Sequence, residues 1–278
     1  MIEIPKPYPI AYEERLCLFL DILAFKSHID ESAKEELKRN SNSMTVTKLY
    51  STLDAINNAM TFKIEGLEHK NTKVVSQFSD SIVVSYKLGE ESALFDMLFD
   101  IYLLQISLIQ RGILVRGAIT AGQLIHDERL VFGPALNEAV ELEKLSMYPR
   151  VILSQEIIDL GKKYHGSQHT SKHEEVSIKS LLNQDLDGMF YVDYFAVEPS
   201  EFDEEWYGLH THLTELRELI KRMSQLTRNP SIKIKHSWMR QKYNDIAKPL
   251  EKSGFKQFGN KFIPDEQADA FLGLGAFK

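Results

Sequence analysis

The first strongly apolar stretch of the chain covers residues 16–25 and contains a single carboxylate, Asp21. A short, continuous apolar run of this kind predicts a fully buried β-strand. An ionised carboxylate inside such a strand is costly unless it is protonated, paired or bound to a cation. Taken alone, Asp21 is explained equally well as a protonated or ion-paired core acid and as a metal ligand.

A second β-rich segment, residues 74–86, has two strand-like arms on either side of Asp80. The pattern predicts a β-hairpin with Asp80 at its tip, where Asp and Ser are also ordinary turn residues. Asp80 alone therefore has a purely structural explanation. Together with Asp21 it forms a pair of strand-borne carboxylates, and such a pair suits one divalent metal ion.

The segments before and after this hairpin show helical periodicity. Residues 30–68 are mostly polar, but apolar residues recur at three- and four-residue spacing in their second half, which predicts an amphipathic helix there. Their first half is either a loop or a separate helix. Residues 90–110 carry a continuous apolar face and predict a second helix, which Gly112 ends.

The following segment, residues 113–125, is rich in β-forming residues and is expected to pair with residues 130–132. Gly117 and Gly122 within it indicate bulges or a close approach of two backbones. Gly133 and Pro134 then open a helix in the usual way. The inward face of that helix consists of Leu136, Ala139, Val140 and either Leu142 or Glu143.

Two more strands are predicted at residues 150–154 and 189–197. The resulting β-α-β-β-α-β order predicts an α+β, ferredoxin-like core, in which helices cover an antiparallel sheet mainly on one face. Beyond Pro199 the pattern changes to two long helices, 204–227 and 232–252. We therefore expect a core domain at 1–200 and a C-terminal helical extension at 201–278.

Composition narrows the class of protein. With 278 residues and 43% hydrophobic residues, the chain can bury a full core. Its single cysteine, Cys17, excludes an internal disulfide and indicates a reducing compartment. We found neither a secretory signal nor an apolar run of membrane-spanning length, so we expect a cytoplasmic protein without a membrane partner. The net charge of −7 argues against nucleic acid and favours a small-molecule partner.

The order of four motifs resembles that of the class III nucleotidyl cyclases, over roughly residues 15–200. The motifs are FLDILAF at 19–25, FSDS at 78–81, RGAITAG at 116–122 and FGPALNEA at 132–139. The first is similar to the first metal-binding strand of that family, with Ala24 in place of the usual glycine, and the second to its hairpin tip with the second metal ligand.

The resemblance implies a reaction in which the 3′-hydroxyl of a nucleoside triphosphate attacks its own α-phosphate and releases pyrophosphate. Asp21, Asp80 and the Ile22 carbonyl would hold two Mg²⁺ or Mn²⁺ ions per active site, which activate the attacking oxygen and neutralise phosphate charge. Asn137 matches the family's ribose-orienting asparagine, which comes from the second subunit of a homodimer. Phe25, at the end of the first motif, falls in the substrate site.

Several positions depart from the family pattern. Glu141 stands where the family carries the arginine that stabilises the transition state, and losing such a donor costs of order 10²-fold in rate. Ser76 and Leu130 occupy the positions that read a purine base. Asp187 and Gly188 lie where a phosphate-binding lysine is expected. This pocket is therefore not built to read adenine or guanine in the usual way.

Two interpretations follow. In the first, the enzyme has changed its base and resembles the bacterial pyrimidine cyclases of Pycsar antiphage defence, which make cyclic CMP or cyclic UMP. Its replacement cations would be Arg116, or Lys233, Lys235 and Arg240 in the helical extension, and we assign Arg116 to catalysis and Lys235 and Arg240 to substrate binding. In the second, the chain is an inactive nucleotide-binding sensor or a dimeric interaction module.

Structural explanations compete with several of these assignments. Asn137 is also explained as a surface residue, and Arg116 as an ion-pair partner of Glu141 or Glu143. The histidines at 165, 169 and 173 have zinc-like spacing, but the intervening residues indicate a polar loop. The stretch 233–243 interleaves cations with aromatic residues, and in a chain this acidic it indicates a helix that packs Trp238 inward.

Overall fold

The computed structural model describes residues 11–35, 45–61, 72–225 and 229–278. Its first half forms the predicted core, in which neighbouring strands follow the order β2-β3-β1-β4 and every pair is antiparallel. This arrangement confirms the α+β, ferredoxin-like prediction. The elements are β1 (Glu13–Ile22), α1 (Phe25–Glu35), α2 (Val46–Thr61), β2 (Val74–Phe78), β3 (Ser81–Lys87), α3 (Ala93–Gln110) and β4 (Val115–His126).

The chain then extends the sheet beyond β4. A short strand, β5, turns back on the end of β4, while β6 joins β4 in parallel and is followed across the sheet by β8 and β7. The elements are β5 (Val131–Phe132), α4 (Pro134–Leu145), β6 (Val151–Leu153), α5 (Gln155–Lys163), α6 (Ser171–Ser180), β7 (Leu182–Gln184) and β8 (Phe190–Val192).

The C-terminal region is helical, as predicted, but also contains a small hairpin. Its elements are α7 (Glu205–Gln225), α8 (Pro230–Lys252), β9 (Gln257–Phe258), β10 (Lys261–Phe262) and α9 (Asp265–Phe271). Residues of α7 and α8, including Leu216, Ile220 and Trp238, share one buried cluster with Ala118 and Tyr191 of the sheet. The extension therefore packs directly on the core, and a domain boundary at residue 200 stays a prediction.

The side chains of strand β1 alternate between the two faces of the sheet. Leu16, Leu18 and Leu20 point into the main core, which α3 covers, and we call this side the α3 face. Cys17 lies on the opposite side and packs with Ala139 of α4, which we call the α4 face. Because side chains alternate along a strand, Asp21 lies on the α4 face with Cys17.

The predicted strand 16–25 is too long at its C-terminal end. Strand β1 ends at Ile22 and helix α1 begins at Phe25. Between them Ala24 has a φ of 60°, a left-handed conformation that glycine adopts most easily. Asp21 is therefore close to the end of its strand, with 27% of its side chain exposed, rather than fully buried in the middle.

Helix α3 corrects one expectation about apolar runs. By length and composition alone, Ala93–Gln110 is apolar enough to cross a membrane, although we expected no run of that length. In the structure 61% of this stretch is buried. Leu98 and Ile101 of α3 belong to the same buried cluster as Leu18 and Leu20 of β1, as in the core helix of a globular domain.

Candidate active site

The end of β1 and the tip of the β2-β3 hairpin lie against each other. Asp21 is opposite Ser81 in the β1-β3 register, and the Ile22 amide donates to the Asp80 carbonyl over 3.0 Å. The hairpin turns through Ser79 and Asp80, with Ser79 in the left-handed region at a φ of 57°. The two acids predicted from separate strands are thus neighbours in the fold.

The Asp21 carboxyl is electrostatically strained in this position. Burial is the main cause that raises its pKa to about 6, and the charges of Glu143 and Asp80 raise it further. Arg116 opposes this shift. A carboxylate that is half-buried and repelled by two other acids gains much from a bound cation, because the cation favours its ionised form.

Arg116 is directly opposite Asp21 on β4, but its main partner is a different acid. Its Nε donates to the Glu143 carboxylate, its Nη1 donates to the Ser146 carbonyl over 3.4 Å, and its Nη2 lies 4.0 Å from Asp21 Oδ2. Glu143 is buried on α4, whereas Glu141 is exposed. Of the two acids proposed as partners from the sequence, Glu143 is the one that pairs.

Helix α8 brings Lys235 to the same cluster. Burial and the charge of Arg116 lower the pKa of Lys235, while Glu143 raises it, so the three charges lie within electrostatic range of one another. The Lys235 Nζ also donates to Ser231 Oγ over 2.7 Å. A cation from the helical extension therefore reaches the site on the α4 face.

Helix α8 is held on the sheet by a buried polar anchor. Trp238 Nε1 donates to Asp185 Oδ2 over 2.7 Å, and the same carboxylate accepts from Arg150 over 2.8 Å and pairs with Lys242 at 3.2 Å. Trp238 is buried, as the sequence predicted. This anchor positions the turn of α8 that carries Lys235.

Other predicted site residues lie in different surroundings. Phe25 packs against the main core at the start of α1. Leu130 is exposed in the turn between β4 and β5, and Asn137 is exposed on α4 without a hydrogen bond to its side chain from any described residue. Arg240 donates to a main-chain oxygen of Lys278, so no contact in the described chain joins it to Asp21.

Ser76 has a partner that sequence reasoning missed. Its Oγ lies 3.0 Å from Nε2 of His126, which is 7% exposed and lies at the end of β4. The other ring nitrogen of His126 lies 2.8 Å from Ser85 Oγ. The available signal was a histidine two residues after the apolar Leu124, and therefore on the same face of the strand.

From the sequence, Glu143 was only one of two possible partners for Arg116. It falls on the predicted inward face of its helix, four residues after Ala139, and an acid at such a position needs a partner. Arg116 is the only cation on β4 within the described residues. The inward phase of Glu143 was therefore the signal that pointed to this pair.

The donor set fits a divalent ion that also binds a substrate. Among the described residues no three His, Cys, Asp or Glu side chains converge on a metal site. Asp21 and Asp80 supply two carboxylates, and Mg²⁺ is commonly held by one or two carboxylates together with substrate phosphates and water.

Of the three histidines with zinc-like spacing, His165 and His169 precede helix α6 and His173 lies within it, so they do not share one helix face.

Comparison with solved structures shows a likeness to a nucleotide-cyclase core. The chain is similar to the catalytic core of a rhodopsin-guanylyl cyclase with converted specificity, whose crystal structure is in complex with ATPαS. The identity is 16%, the match covers 66% of this chain and 96% of the cyclase core, and the TM-score is 0.35. No protein-family model and no curated protein sequence matches the chain.

Proposed function

We propose that this protein is a nucleotidyl cyclase that converts CTP or UTP into a 3′,5′-cyclic monophosphate and pyrophosphate. The observation that carries the proposal is the contact between the end of β1 and the β2-β3 hairpin tip. It brings Asp21 and Asp80 close enough for the Asp80 charge to raise the Asp21 pKa.

Asp21, Asp80 and the Ile22 carbonyl would hold two Mg²⁺ or Mn²⁺ ions. When bound, such ions activate the attacking hydroxyl and neutralise phosphate charge. The protein contributes a fixed pair of carboxylates on a rigid sheet, so little ordering is required when substrate binds. Asp21 is partly exposed, which leaves room for phosphate oxygens and water on the α4 face.

Two cations of this chain would face the phosphates. Lys235 lies within electrostatic range of Arg116 and would replace the charge of the missing arginine from a different position in the chain. The Glu143 carboxylate holds the Nε side of Arg116, so that its Nη2 faces Asp21. Arg240, our third candidate cation, would reach substrate only after leaving Lys278.

Base recognition would use Ser76 and Leu130, and the partly buried Phe25, which packs against the main core, would lie only at the border of the substrate site. Ser76 is a small polar residue in place of a lysine, and Leu130 an apolar residue in place of an aspartate. A pocket without these charged readers favours a pyrimidine, and the product would act as a signal in antiphage defence.

Asn137 would complete the site of a second copy in a cytoplasmic homodimer. Its exposed position on α4, without a hydrogen bond to its side chain among the described residues, supports a role outside its own subunit. Size-exclusion chromatography with light scattering tests this part, and a strictly monomeric protein that makes product would contradict it.

Product formation tests the main proposal. The purified full-length protein is incubated with ATP, GTP, CTP and UTP separately, with Mn²⁺, and cyclic monophosphates are measured by mass spectrometry. We expect product from a pyrimidine nucleotide and none from the Asp21→Ala variant. Asp159→Ala, which removes an exposed carboxylate on α5, is the matched control and should retain full activity.

One observation favours the alternative, a nucleotide sensor without turnover. Arg116 is already engaged by the buried Glu143, and Glu141 occupies the arginine position. A wild-type protein that binds a nucleotide with Mn²⁺ but forms no cyclic product would select the sensor. A protein that binds no nucleotide would contradict both functions and leave a dimeric interaction module.

A further inference from the structure

One carboxylate, that of Asp185, joins the sheet to the helical extension. Asp185 directly follows β7, and 9% of its side chain is exposed. Its Oδ2 accepts from Arg150 Nη1 over 2.8 Å and from Trp238 Nε1 over 2.7 Å, and its Oδ1 lies 3.2 Å from Lys242 Nζ. Arg150 precedes β6 in the sheet, whereas the other two donors belong to α8. Donors from two parts of the fold therefore converge on one nearly buried acid.

These contacts hold Trp238 in one orientation. Its ring stacks on Tyr148 at a centroid distance of 5.2 Å and contacts Tyr191 edge to face at 5.6 Å. Its Nε1 donates to a charged acceptor that is mostly removed from water, and such bonds are shorter and stronger than neutral ones. Since the ring can neither slide nor turn without losing these contacts, the rotation of α8 against the sheet is fixed at Trp238.

A path of contacts leads from this point to Arg116. Lys235 precedes Trp238 by three residues, and residues three apart are neighbours on a helix surface. Trp238 stacks on Tyr148, which follows Ser146 by two residues, and the Ser146 carbonyl accepts from Arg116 Nη1 over 3.4 Å. The turn of α8 that carries Lys235 is therefore next to the cation that faces the candidate metal ligands.

The sheet register gives a second, independent connection. Ala118 of β4 is opposite Ile152 of β6, and both belong to the buried cluster that α7 and α8 complete. Two residues earlier on the same two strands, Arg116 and Arg150 are the next pair on that face, because side chains alternate along a strand. Asp185 thus anchors α8 to the strand position beside Arg116.

Lys235 has a charge that an anion would stabilise. Its Nζ donates to Ser231 Oγ over 2.7 Å on its own helix, and it forms no ion pair with any described residue. Burial, followed by the charge of Arg116, lowers the pKa of Lys235, and Glu143 opposes this shift only in part. A bound phosphate would favour the charged form of this ammonium group.

We propose that Asp185 is a positioning residue of the candidate active site, which holds α8 on the sheet through Trp238 and thereby places Lys235 where a triphosphate binds. This inference rests on the proposed function and names residues on which its substrate affinity depends. Lys235 contacts the phosphates, and Asp185 acts only through it. Removing Asp185 therefore has the same effect on substrate binding as removing Lys235.

A double-mutant cycle tests the inference. The full-length protein is titrated calorimetrically, in the presence of Mn²⁺, with 3′-deoxy-UTP and 3′-deoxy-CTP, which lack the attacking hydroxyl. We expect Lys235→Ala and Asp185→Asn each to weaken binding about tenfold, and the double variant to bind no more weakly than Lys235→Ala. Independent effects, which would multiply to about a hundredfold in the double variant, would overturn the inference.

Asp187 provides a matched control in the same turn. Its carboxylate also pairs with Arg150, its side chain is 48% exposed, and its other partner among the described residues is the Met189 amide rather than a group on α8. Asp187→Asn should therefore change the affinity by no more than about twofold. A loss of affinity in Asp187→Asn as large as that in Asp185→Asn would attribute the effect to Arg150 and overturn the role of α8.

Trp238→Phe separates positioning from charge and from folding. It keeps an aromatic ring on Tyr148, removes the donor to Asp185 and leaves the net charge unchanged. Salt screens the attraction between a cation and phosphate, so affinity should fall less steeply with added NaCl in Trp238→Phe and Lys235→Ala than in wild type. A folded Trp238→Phe protein, as judged by thermal melts, with wild-type affinity and salt dependence would contradict positioning, and this test holds even if Asp185→Asn does not fold.

The outcomes distinguish the inference from the proposed function. Binding that weakens in Lys235→Ala but not in Asp185→Asn or Trp238→Phe overturns the positioning role and leaves the proposed function standing. Binding that Lys235→Ala does not change overturns the inference in the same way. A wild-type protein that binds neither nucleotide overturns the proposed function, and the inference with it.

Discussion

Arg116 donates from its Nε to the carboxylate of Glu143, and this bond joins the strand that carries Arg116 to helix α4. Glu143 is 3% exposed, so its charge is nearly withdrawn from water and depends on this partner. The far side of the same guanidinium lies 4.0 Å from Asp21. One cation thus satisfies a structural acid and faces a candidate metal ligand.

Replacing Glu143 should show how much this pair contributes to the free energy of unfolding. Glu143→Gln keeps the shape but removes the charge, and we expect it to lower the free energy of unfolding by about 1–3 kcal/mol. Chemical denaturation measures the change. Glu141→Gln, on the exposed side of the same helix, should change stability by no more than about 0.5 kcal/mol. Equal effects of the two variants would contradict a structural role for the pair.

The electrostatic interaction between Asp21 and Asp80 can be measured directly. Asp80→Asn removes one of the charges that raise the Asp21 pKa, so the pKa of Asp21 should fall from its value of about 6. Carboxyl-carbon NMR titration without metal reports this shift. Asp159→Asn, far along the chain on α5, should leave the Asp21 pKa unchanged. An unchanged Asp21 pKa in Asp80→Asn would show that the two carboxylates do not interact.

Lys235 should matter for triphosphate binding more than for folding. Lys235→Ala removes a cation beside Arg116, and we expect about tenfold weaker binding of a nucleoside triphosphate with Mn²⁺. Calorimetric titration gives the affinity. Lys248→Ala, an exposed lysine on the same helix, is the matched control. If both variants bind like wild type, α8 does not contribute to the site.

Stability should decrease in acid because of His212. This residue is fully buried, its Nε2 donates to the Tyr194 carbonyl over 2.8 Å, and burial lowers its pKa to about 4. The unfolded chain binds a proton near pH 6.5 and the folded chain does not, so stability is present at pH 7 and is lost as pH falls from about 6.5 to about 4. The loss from this residue is of order 3 kcal/mol.

Urea denaturation at pH 7 and at pH 4.5 checks this prediction. His212→Gln cannot take up a proton, so its stability should differ less between the two pH values than that of wild type. Any loss of stability at pH 7 from a weaker bond to Tyr194 does not affect this test, because the test compares the change in the free energy of unfolding between the two pH values. A variant with the same acid sensitivity as wild type would exclude His212 as a cause.

Gly117 tests the close approach of β1 and β4. A Cβ at this position would contact the Phe19 carbonyl oxygen and lie 2.7 Å from Leu20 Cδ2, so the strands would have to separate next to Asp21. We expect Gly117→Ala to destabilise the fold by about 1–3 kcal/mol. Gly273→Ala, with open space around it, is the control for thermal and chemical denaturation.

Local patterns predicted the elements well where one period dominates. The two β-rich arms of residues 74–86 on either side of Asp80 predicted the hairpin, and the apolar face of residues 90–110 predicted α3, which begins at Ala93. Of the two alternatives predicted for Gly117, a bulge or a close backbone approach, the structure shows the close approach. These features depend on neighbours a few residues apart, and such neighbours are visible in the sequence.

The ends of elements were less predictable. Apolar residues continue past Ile22, so the first strand was drawn to Phe25, yet a left-handed Ala24 ends it earlier. A hydrophobic pattern carries no information about backbone torsion angles, so it could not show where this strand ends. The error also placed Asp21 too deep in the interior, because the position of a strand end decides whether its last side chains reach solvent.

From the sequence alone came an α+β fold and two β-elements that carry one carboxylate each, Asp21 and Asp80; the structure placed the two elements side by side. Only the tertiary structure decided that Glu143 rather than Glu141 pairs with Arg116, since that choice depends on the rotation of α4 against the sheet. It also decided that α8 delivers Lys235, more than a hundred residues along the chain from Arg116. Such contacts result from the sum of many weak packing interactions between distant segments, which no local period encodes.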